Sequence, residues 1–329
     1  MAGRSDISAE DRFIAEYFAP LATHPGALGL SDDAACIKPS PGTDIVLKAD
    51  AIVGGVHFFP EDAAQLVAGK ALRVNLSDLA AKGARPLGFL LSLALPETID
   101  EAWVAGFAEG LGADAALFGC PLLGGDTDRT PGPTTVSIAM FGSVPEGTMV
   151  RRSGAKVGDR AFVSGTIGDA ALGLALRKGQ EFRLSEAHHR HLVSRYLVPQ
   201  PRSPLAEAVR THASAAMDVS DGLMGDFAKL CRTSGVAADI DISRIPFSDA
   251  AKEVLAQVPD MLETVLTGGD DYEIVCAVPA ERADDFCKSA EAAQVPITDI
   301  GQFTAGQGAR FRTDEGRSVS FARASYSHF

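Results

Sequence analysis

The chain has 329 residues, of which 46% are apolar and 22% are charged, and its formal net charge is −13. This length predicts two domains, because a domain usually holds about 100–200 residues. The negative charge and the lack of a Lys- or Arg-rich cluster exclude a nucleic-acid partner. No apolar run reaches the ~18 residues of a membrane span, and the acidic N-terminus is unlike a signal peptide. We therefore expect a cytoplasmic protein without a membrane partner.

The predicted elements alternate between helix and strand, and one polar, glycine-containing segment divides them into two groups. The first group contains helix 8–21, strand 44–50, helix 62–82, strand 87–95, helix 101–117, a strand from 121, and strand 134–144. Residues 151–159 form the dividing segment. The second group contains strand 161–164, helices near 168–178, 186–197 and 204–212, strand 215–219, a helix from 221, strands near 236–242 and 273–278, helix 281–293, and strands near 297–303 and 309–312. This alternation predicts an α/β (α+β) protein with domains at 1–150 and 151–329.

Aspartates recur where the predicted strands end or loops begin, and they are the main chemical signal in the sequence. They are Asp32, Asp33, Asp50, Asp78, Asp126, Asp128, Asp218, Asp221, Asp270 and Asp271. A single aspartate in such a place is usually a turn or N-cap residue, because its side chain accepts hydrogen bonds from nearby backbone N–H groups. The ten aspartates fall in six places, at 32–33, 50, 78, 126–128, 218–221 and 270–271. Six such places in one acidic chain favour a set of magnesium ligands, since Mg²⁺ prefers oxygen ligands and bridges carboxylates to substrate phosphates.

Magnesium would also allow an acidic chain to bind ATP. Two unit charges 4 Å apart repel by roughly 4 kcal/mol at an effective dielectric constant near 20, so a reaction between two phosphate groups requires cations. The common nucleotide signatures are absent, because the chain has neither a P-loop motif nor the protein-kinase motifs. The pair Asp126 and Asp128 also lacks the glycine and the bidentate glutamate of an EF-hand loop. An ATP site in this chain would use a less common scaffold.

Seven segments resemble, in this order, those of the thiamine-monophosphate kinase family. They are 29–35 (GLSDDAA), 50–58 (DAIVGGVHF), 75–82 (NLSDLAAK), 124–127 (GGDT), 152–159 (RSGAKVGD), 218–223 (DVSDGL) and 268–273 (GGDDYE). Each segment alone is a weak signal, but the ordered set spans nearly the whole chain and is specific. The resemblance implies that ATP phosphorylates thiamine monophosphate in a magnesium-dependent reaction. It also implies the fold of aminoimidazole ribonucleotide synthetase, in which ATP binds in a cleft between two α/β domains and the N-terminal sheet domain forms a homodimer.

The resemblance assigns roles to matched positions. The implied magnesium ligands are Asp33, Asp50, Asp78, Asp126, Asp218 and Asp221. The implied nucleotide-binding residues are Gly125, Asp126, Arg152 and Ser220, the substrate-binding residues are His57, Asp270 and Tyr326, and the catalytic candidates are Arg152 and Asp126. The chain departs from the family pattern at Lys48 and Ala49, where hydroxyl residues usually precede the aspartate, and at Asp270, where a glutamate is usual. We hypothesise that Lys48 replaces a cation electrostatically.

The chemistry of the substrate favours direct transfer of the phosphate. A phosphate monoester has a second pKa of about 6, so it is mostly a dianion at pH 7 and can attack without a general base. In-line attack, with Arg152 neutralising charge on the transferred group, is therefore preferred over a phospho-aspartate intermediate. The alternative role of His57 is purely structural, and the alternative for Arg152 is a solvated residue of the linker. His188, His189 and His191 look like a metal cluster, but they are predicted to lie on the surface of a polar helix.

Two other functions stay open from the sequence. One is a sister ATP-dependent synthetase of the same superfamily; selenophosphate synthetase, for example, needs a reactive cysteine near its N-terminus, whereas the first cysteine of this chain is Cys36. The other is a non-catalytic protein that binds a metal or a nucleotide, which the missing hydroxyls beside Asp50 support. ATP turnover that depends on thiamine monophosphate would discriminate between these functions.

Overall fold

The computed structural model describes residues 12–313, 317–319 and 321, and these residues separate into two units. The first unit contains the described residues up to Leu76 together with Pro86–Glu146. The second contains Ser77–Arg85 and the described residues from Gly147 onward, so it includes a short stretch from the N-terminal half of the chain. None of the helices among these residues combines the length and apolar character that a bilayer crossing demands.

The first unit is built on a four-stranded sheet. Turns of π- and 3₁₀-helix at Ile14–Phe18, Ala19–Leu21 and Pro25–Leu30 precede β1 (Thr43–Val53), α1 (Ala64–Ala81), β2 (Arg85–Leu95), α2 (Glu101–Leu117), β3 (Leu122–Arg129) and β4 (Thr135–Pro145). The strand order is β1-β4-β2-β3, with β1 antiparallel to β4 and β2 parallel to β3. Within the predicted helix 8–21, Ile14–Phe18 forms a π turn and Ala19–Leu21 a 3₁₀ turn. Pro20 has no N–H with which to continue an α-helix.

A bidentate ion pair fixes α1 against α2. Arg73 donates to both carboxylate oxygens of Asp114, from Nε at 2.6 Å and from Nη2 at 2.8 Å. The Arg73 guanidinium also lies 5.3 Å from the ring centre of Phe118. Two parallel hydrogen bonds between a guanidinium and a carboxylate restrict their relative orientation more than one charged contact does. The pair therefore orients the part of α1 that carries Asn75.

The second unit is built on a seven-stranded sheet. Its elements are β5 (Arg160–Ser164), α3 (Asp169–Arg177), α4 (Glu186–Leu197), α5 (Ala206–His212), β6 (Ala215–Val219), α6 (Leu223–Ser234), β7 (Ala237–Asp241), α7 (Asp249–Gln257), α8 (Met261–Thr267), β8 (Glu273–Val278), α9 (Ala283–Ala292), β9 (Ile297–Thr304), β10 (Gly308–Arg312) and β11 (Ser318–Val319). The strand order is β11-β10-β7-β9-β5-β8-β6.

Apolar cores cover both faces of this second sheet. Successive strand residues point to opposite faces, and in β5 Ala161 and Val163 belong to the core that contains Phe227, whereas Phe162 belongs to the core that contains Phe286. Strands buried on both faces are typical of sheets that carry helices on each side. The α/β (α+β) prediction is therefore confirmed.

Two helices, α7 and α8, were not predicted from the sequence. The start of α7 has a recognisable signal, because Ser248 accepts a hydrogen bond from the N–H of Ala251 at 3.0 Å and so caps the helix. Both helices contribute to a small core with α3 and α4 that includes Leu172, Leu192 and Val265.

The three histidines of α4 lie at the surface, and two of them pair with acids. His189 is exposed, as expected for the surface of a polar helix. His188 and His191 are half-buried and paired with acids: His188 contacts Glu253 through Nδ1, and His191 Nε2 lies 3.0 Å from an oxygen of Asp169. These pairs tie α4 to α7 and α3, while the side chains of His188 and His191 stay 36% and 41% exposed, as a surface position predicts.

Gly173→Ala should destabilise the protein, although alanine normally favours a helix over glycine by about 1 kcal/mol. A Cβ at position 173 of α3 would overlap the carbonyl oxygen of Leu192 and lie 3.1 Å from the Cβ of Tyr196, both on α4. We expect the free energy of unfolding in urea to fall by about 1–3 kcal/mol, the usual cost of overpacking. In the control Gly106→Ala, the new Cβ meets only the end of the exposed Gln65 side chain. Equal effects in the two variants would contradict close α3–α4 packing.

The Asp169–His191 pair should make stability depend on pH. The hydrogen bond to Asp169 raises the pKa of His191. Burial tends to raise the pKa of Asp169, but hydrogen bonds from His191, Ser248 and Thr166 outweigh burial and lower that pKa.

Because the pKa of His191 is raised in the folded protein, its contribution to the free energy of unfolding is complete below the unfolded pKa of about 6.5 and is lost as pH rises through the folded pKa. Because the pKa of Asp169 is lowered, its contribution is complete above the unfolded pKa of about 3.9 and is lost as pH falls through the folded pKa. The unfolding free energy lost in His191→Gln should therefore be greatest between about pH 4 and 6.5 and shrink toward pH 8. Urea unfolding across this range checks the expectation, with His189→Gln as the control. A loss in His191→Gln that does not vary with pH would rule it out.

Candidate active site

In the first unit, two of the predicted metal ligands, Asp50 and Asp126, lie within strands and not at strand ends, whereas Asp33 lies in the loop before β1. Strand β1 continues past Asp50 to Val53, and β3 continues past Asp126 to Arg129. The backbone N–H of Asp50 donates to Asn75 Oδ1 at 3.0 Å, which joins β1 to α1. Lys48 lies two residues before Asp50, on the same face of β1, and its Nζ is 3.0 Å from the Asp50 carboxylate. The hypothesis that Lys48 provides a cation beside Asp50 is thus supported.

A cavity of about 980 Å³ lies against the sheet of the first unit. Its polar part includes Asp33, Gly125 and Asp126, so the structure brings together three of the predicted site residues. The remaining wall is largely apolar and includes Leu47 and Phe141. A cavity with one apolar wall and a few convergent polar groups is the usual form of a small-molecule site.

Close strand packing explains the glycine at position 125. A Cβ there would overlap the carbonyl oxygen of Leu91 on the neighbouring strand β2. Any other residue would push β3 away from β2 and displace Asp126, the next residue in the strand. The glycine therefore acts through the backbone of the sheet.

His57 closes the turn that follows β1. Its Nδ1 accepts a hydrogen bond from the backbone N–H of Val53 at 3.0 Å, and its carbonyl oxygen accepts one from Lys70 at 2.9 Å. A ring nitrogen that accepts from an N–H cannot itself carry a proton, so the neutral ring holds its proton on Nε2. The structural interpretation of His57 is supported.

In the second unit, Asp218 and the C-terminal end of α1 form a buried polar group. Ser77 donates to an Asp218 oxygen at 3.0 Å, and Lys82 donates to the carbonyl oxygen of Ala216 at 2.6 Å. Asp78 and Asp218 are both buried. Burial lowers the pKa of Lys82 to about 8, against the opposing attraction of Asp218. The ammonium of Lys82 was not identified from the sequence.

The turn that carries Ser220 and Asp221 is held by a buried carboxylate. The backbone N–H groups of both residues donate to Asp226 Oδ2, at 3.0 and 2.9 Å. Lys229 pairs with Asp221 and, at 2.9 Å, with Asp226, which is fully buried. Burial raises the pKa of Asp226, and the ion pair with Lys229 opposes that shift. The sequence signal for Asp226 was an acid in the first turn of a helix that follows a predicted site residue.

Asp270 lies in a loop with an unusual backbone, residues 268–272. Asp270 has φ 70° and Tyr272 has φ 52°, in the left-handed region that costs a non-glycine residue about 1–3 kcal/mol. The N–H of Asp270 donates to the carbonyl oxygen of Ser220 at 2.9 Å, and the hydroxyl of Tyr272 donates to the Asp270 carboxylate at 3.3 Å. The loop therefore brings together Ser220 and Asp270, two predicted site residues.

Comparison with known proteins gives consistent matches along the chain. The models for AIR synthase related protein match at residues 31–144 for the N-terminal domain and 156–314 for the C-terminal domain. A thiamine-monophosphate kinase from Caulobacter vibrioides is 45% identical over 307 residues, which is 92% of this chain and 86% of that protein. The chain belongs to the thiamine-monophosphate kinase family.

Solved structures of this kinase family have the same fold. The thiamine-monophosphate kinase from Stenotrophomonas maltophilia K279a is 39% identical, with a TM-score of 0.82, over 94% of this chain and 96% of that chain. AaThiL, complexed with AMPPCP and TMP, is 31% identical, with a TM-score of 0.76, over 91% of both chains. The predicted resemblance to the aminoimidazole ribonucleotide synthetase fold is confirmed.

Two predicted site residues, Arg152 and Tyr326, are not placed in a site by the described side-chain contacts. The side chain of Arg152 is exposed, and its carbonyl oxygen accepts hydrogen bonds from Thr233 and Ser234, each at 3.1 Å. Its charge contributes to the lowered pKa of Lys82, after burial, so the two cations are neighbours. Tyr326 lies outside the described residues.

Carboxylates are the groups of this chain that would suit a magnesium ion, because Mg²⁺ prefers oxygen ligands. Among the residues that the structure describes, no three or more acidic, histidine or cysteine side chains are grouped so as to hold a metal. Magnesium usually takes one or two carboxylates and completes its shell with waters and substrate phosphates. Asp33 and Asp126, which line one cavity, are a suitable pair of this kind.

Asp226→Asn should loosen the Ser220–Asp221 turn. An amide retains one acceptor oxygen but loses the charge that Lys229 and two backbone N–H groups require. We expect the free energy of unfolding to fall by about 1–3 kcal/mol, the range for leaving buried partners unsatisfied. Urea unfolding measures the change. Asp284→Asn, at an exposed acid in the first turn of α9, is the matched control. A loss no larger than that of the control would contradict the role of Asp226.

Proposed function

We propose that this chain transfers the γ-phosphate of ATP to thiamine monophosphate and so forms thiamine diphosphate. The observation that carries the proposal is the match over 91% of the chain to AaThiL complexed with AMPPCP and TMP. AMPPCP has the shape and charge of ATP but a methylene group between its last two phosphorus atoms, so it suits an ATP site without transferring phosphate. The 45% identity to the Caulobacter vibrioides kinase supports the same substrates. The reaction belongs to thiamine diphosphate biosynthesis, and a cytoplasmic location would supply its ATP.

The residue roles are part of this proposal. Gly125, Asp126, Arg152 and Ser220 bind the nucleotide, and His57, Asp270 and Tyr326 bind thiamine monophosphate. The shared cavity of Gly125 and Asp126 supports the nucleotide role, and the hydrogen bond between Ser220 and Asp270 supports adjacent nucleotide and substrate positions. Residues 1–150 would provide the ATP, metal and dimerisation surfaces, and residues 151–329 would complete the site.

Magnesium would be held by Asp33, Asp50, Asp78, Asp126, Asp218 and Asp221. Bound there, it would supply positive charge that offsets the repulsion between the phosphate groups of the two reactants. Lys48 and Lys229 already place ammonium groups on Asp50 and Asp221, so these carboxylates are partly neutralised by the chain itself.

The residues of the chain support direct in-line transfer. The substrate phosphate is mostly a dianion at neutral pH and attacks without a general base. His57 uses Nδ1 as an acceptor within its own turn, so that nitrogen is not available to remove a proton. Arg152 and Asp126 serve as electrostatic groups, Arg152 by neutralising charge on the transferred phosphate.

A homodimer formed through the first sheet is also proposed. Leu47 is 69% exposed and Ile45 is 37% exposed on β1, and Leu47 pairs in register with Phe141 of β4. Burial of such an apolar face stabilises an interface by roughly 25 cal/mol per Å². Ile45, Leu47 and Phe141 also form part of the apolar wall of the cavity that contains Gly125 and Asp126. A second copy of the chain, presenting the same face, would therefore cover this wall and border the cavity.

The purified protein, given ATP, magnesium and thiamine monophosphate, should form thiamine diphosphate, measured by chromatography. Asp126→Asn should lower kcat by about 10²–10³, the usual loss when one preorganised charge-stabilising group is removed. The control is Glu109→Gln, an exposed acid on α2 that loses the same charge. If nucleotide binds but no diphosphate forms, the substrate assignment fails and a sister synthetase or a non-catalytic binding protein becomes the better interpretation.

A further inference from the structure

The loop that carries Asp270 is held by a buried charge cluster just beyond its end. Glu273, the first residue of β8, is fully buried. Its carboxylate accepts hydrogen bonds from Arg195 Nη2 at 2.9 Å, Arg202 Nε at 2.6 Å and Ser164 Oγ at 2.6 Å. A second nitrogen of Arg202 also contacts it. Two guanidinium groups and one hydroxyl thus surround one carboxylate.

Arg195 connects this cluster to the loop itself. The same Nη2 that binds Glu273 also donates to the carbonyl oxygen of Asp271 at 3.3 Å. Arg195 is 7% exposed and lies on α4, so its position follows that of the helix. The carboxylate of Asp271 accepts from the N–H of Gly168 at 2.9 and 3.0 Å, which fixes residue 271 from a second side.

The remaining backbone of the loop is held by β6. The N–H groups of Asp270 and Tyr272 donate to the carbonyl oxygens of Ser220 and Val219, at 2.9 and 2.8 Å. Asp271 and Glu273 are buried, whereas Asp270 is half-buried. The contacts therefore fix both neighbours of Tyr272 and leave Asp270 as the loop carboxylate nearest to solvent.

Left-handed backbone at two non-glycine residues persists only where surrounding contacts impose it. Asp270 and Tyr272 are both in that region. Arg195 contacts both Asp271 and Glu273, the neighbours of Tyr272, and Arg202 contacts Glu273.

We propose that Arg195 and Arg202 are positioning residues that act through Glu273 to hold Asp270 in the conformation that binds substrate. The inference rests on the proposed function, in which Asp270 contacts thiamine monophosphate. It assigns a specific effect to residues that do not themselves contact the substrate.

A double-mutant cycle separates positioning from general stability. The variants are Arg195→Gln, Asp270→Asn and their combination, with Arg190→Gln, an exposed position on the same helix, as the control. Arg195→Gln should raise the KM for thiamine monophosphate about tenfold or more, from loss of hydrogen bonds to charged and buried groups. The KM for ATP and kcat should change by less than about threefold, and the double variant should be no worse than Asp270→Asn alone.

Two further variants protect the experiment against failure to fold. Arg202→Gln removes a cation whose side chain is 21% exposed, and it should show the same selective rise in KM. Arg195→Lys keeps the charge next to Glu273 and should restore part of the lost affinity. Thermal unfolding of each variant reports its stability independently of its kinetics.

Several outcomes would overturn the proposal. They are additive effects in the cycle, equal rises in both KM values, or an unchanged KM for thiamine monophosphate in folded Arg195→Gln and Arg202→Gln. Turnover by the unmodified protein is measured first, because its absence would refute the proposed function and this inference with it. Turnover together with an additive cycle would leave the function intact and refute only the positioning role.

Discussion

The carboxylate of Glu273 has no access to water, and this constraint organises the centre of the second unit. A buried ion loses several kcal/mol of hydration, which only close counter-charges and complete hydrogen bonding can offset. Arg195 from α4, Arg202 from the segment after α4, and Ser164 from β5 provide these contacts. The hydroxyl of Ser164 also accepts from the N–H of Ile274 at 2.8 Å, so β5 and β8 are joined at the same point. Helix α4, the segment after it and strand β5 thus all donate hydrogen bonds to the one buried carboxylate of Glu273.

The buried aspartates of the second unit also need counter-charges or hydrogen bonds to offset their lost hydration. Asp226 binds two backbone N–H groups and Lys229, and Asp218 binds Ser77. In a chain with a net charge of −13, cations are limited; Lys229 lies at Asp221 and Asp226, and Lys48 lies at Asp50. Burial lowers the pKa of Lys82 to about 8, and the nearby carboxylates of Asp218 and Asp78 oppose this shift. Acidic groups that are partly neutralised in this way repel an incoming polyphosphate less than the net charge suggests.

The sequence predicted the alternation of elements because helices and strands have different apolar periods. It could not show which distant residues meet: the partners Ser77 and Asp218 are 141 positions apart, and Gly168 and Asp271 are 103 apart. The strand ends were placed too early at Asp50 and Asp126, since a polar residue on an accessible face of a sheet looks like the start of a loop. Arg195 was missed for a related reason, because one arginine in a polar helix gives no sign of burial until its partners are known.

Lys48 and Asp50 are two residues apart on one strand, with the ammonium 3.0 Å from the carboxylate. A lysine is covalently attached, so it does not dissociate when the surrounding ion concentration falls, as a bound metal does. The carboxylate therefore keeps a counter-charge at every magnesium concentration, and a metal ion that takes it as a ligand must compete with a cation that cannot leave. At Asp50 the chain itself therefore supplies part of the neutralising charge, whatever the supply of ions.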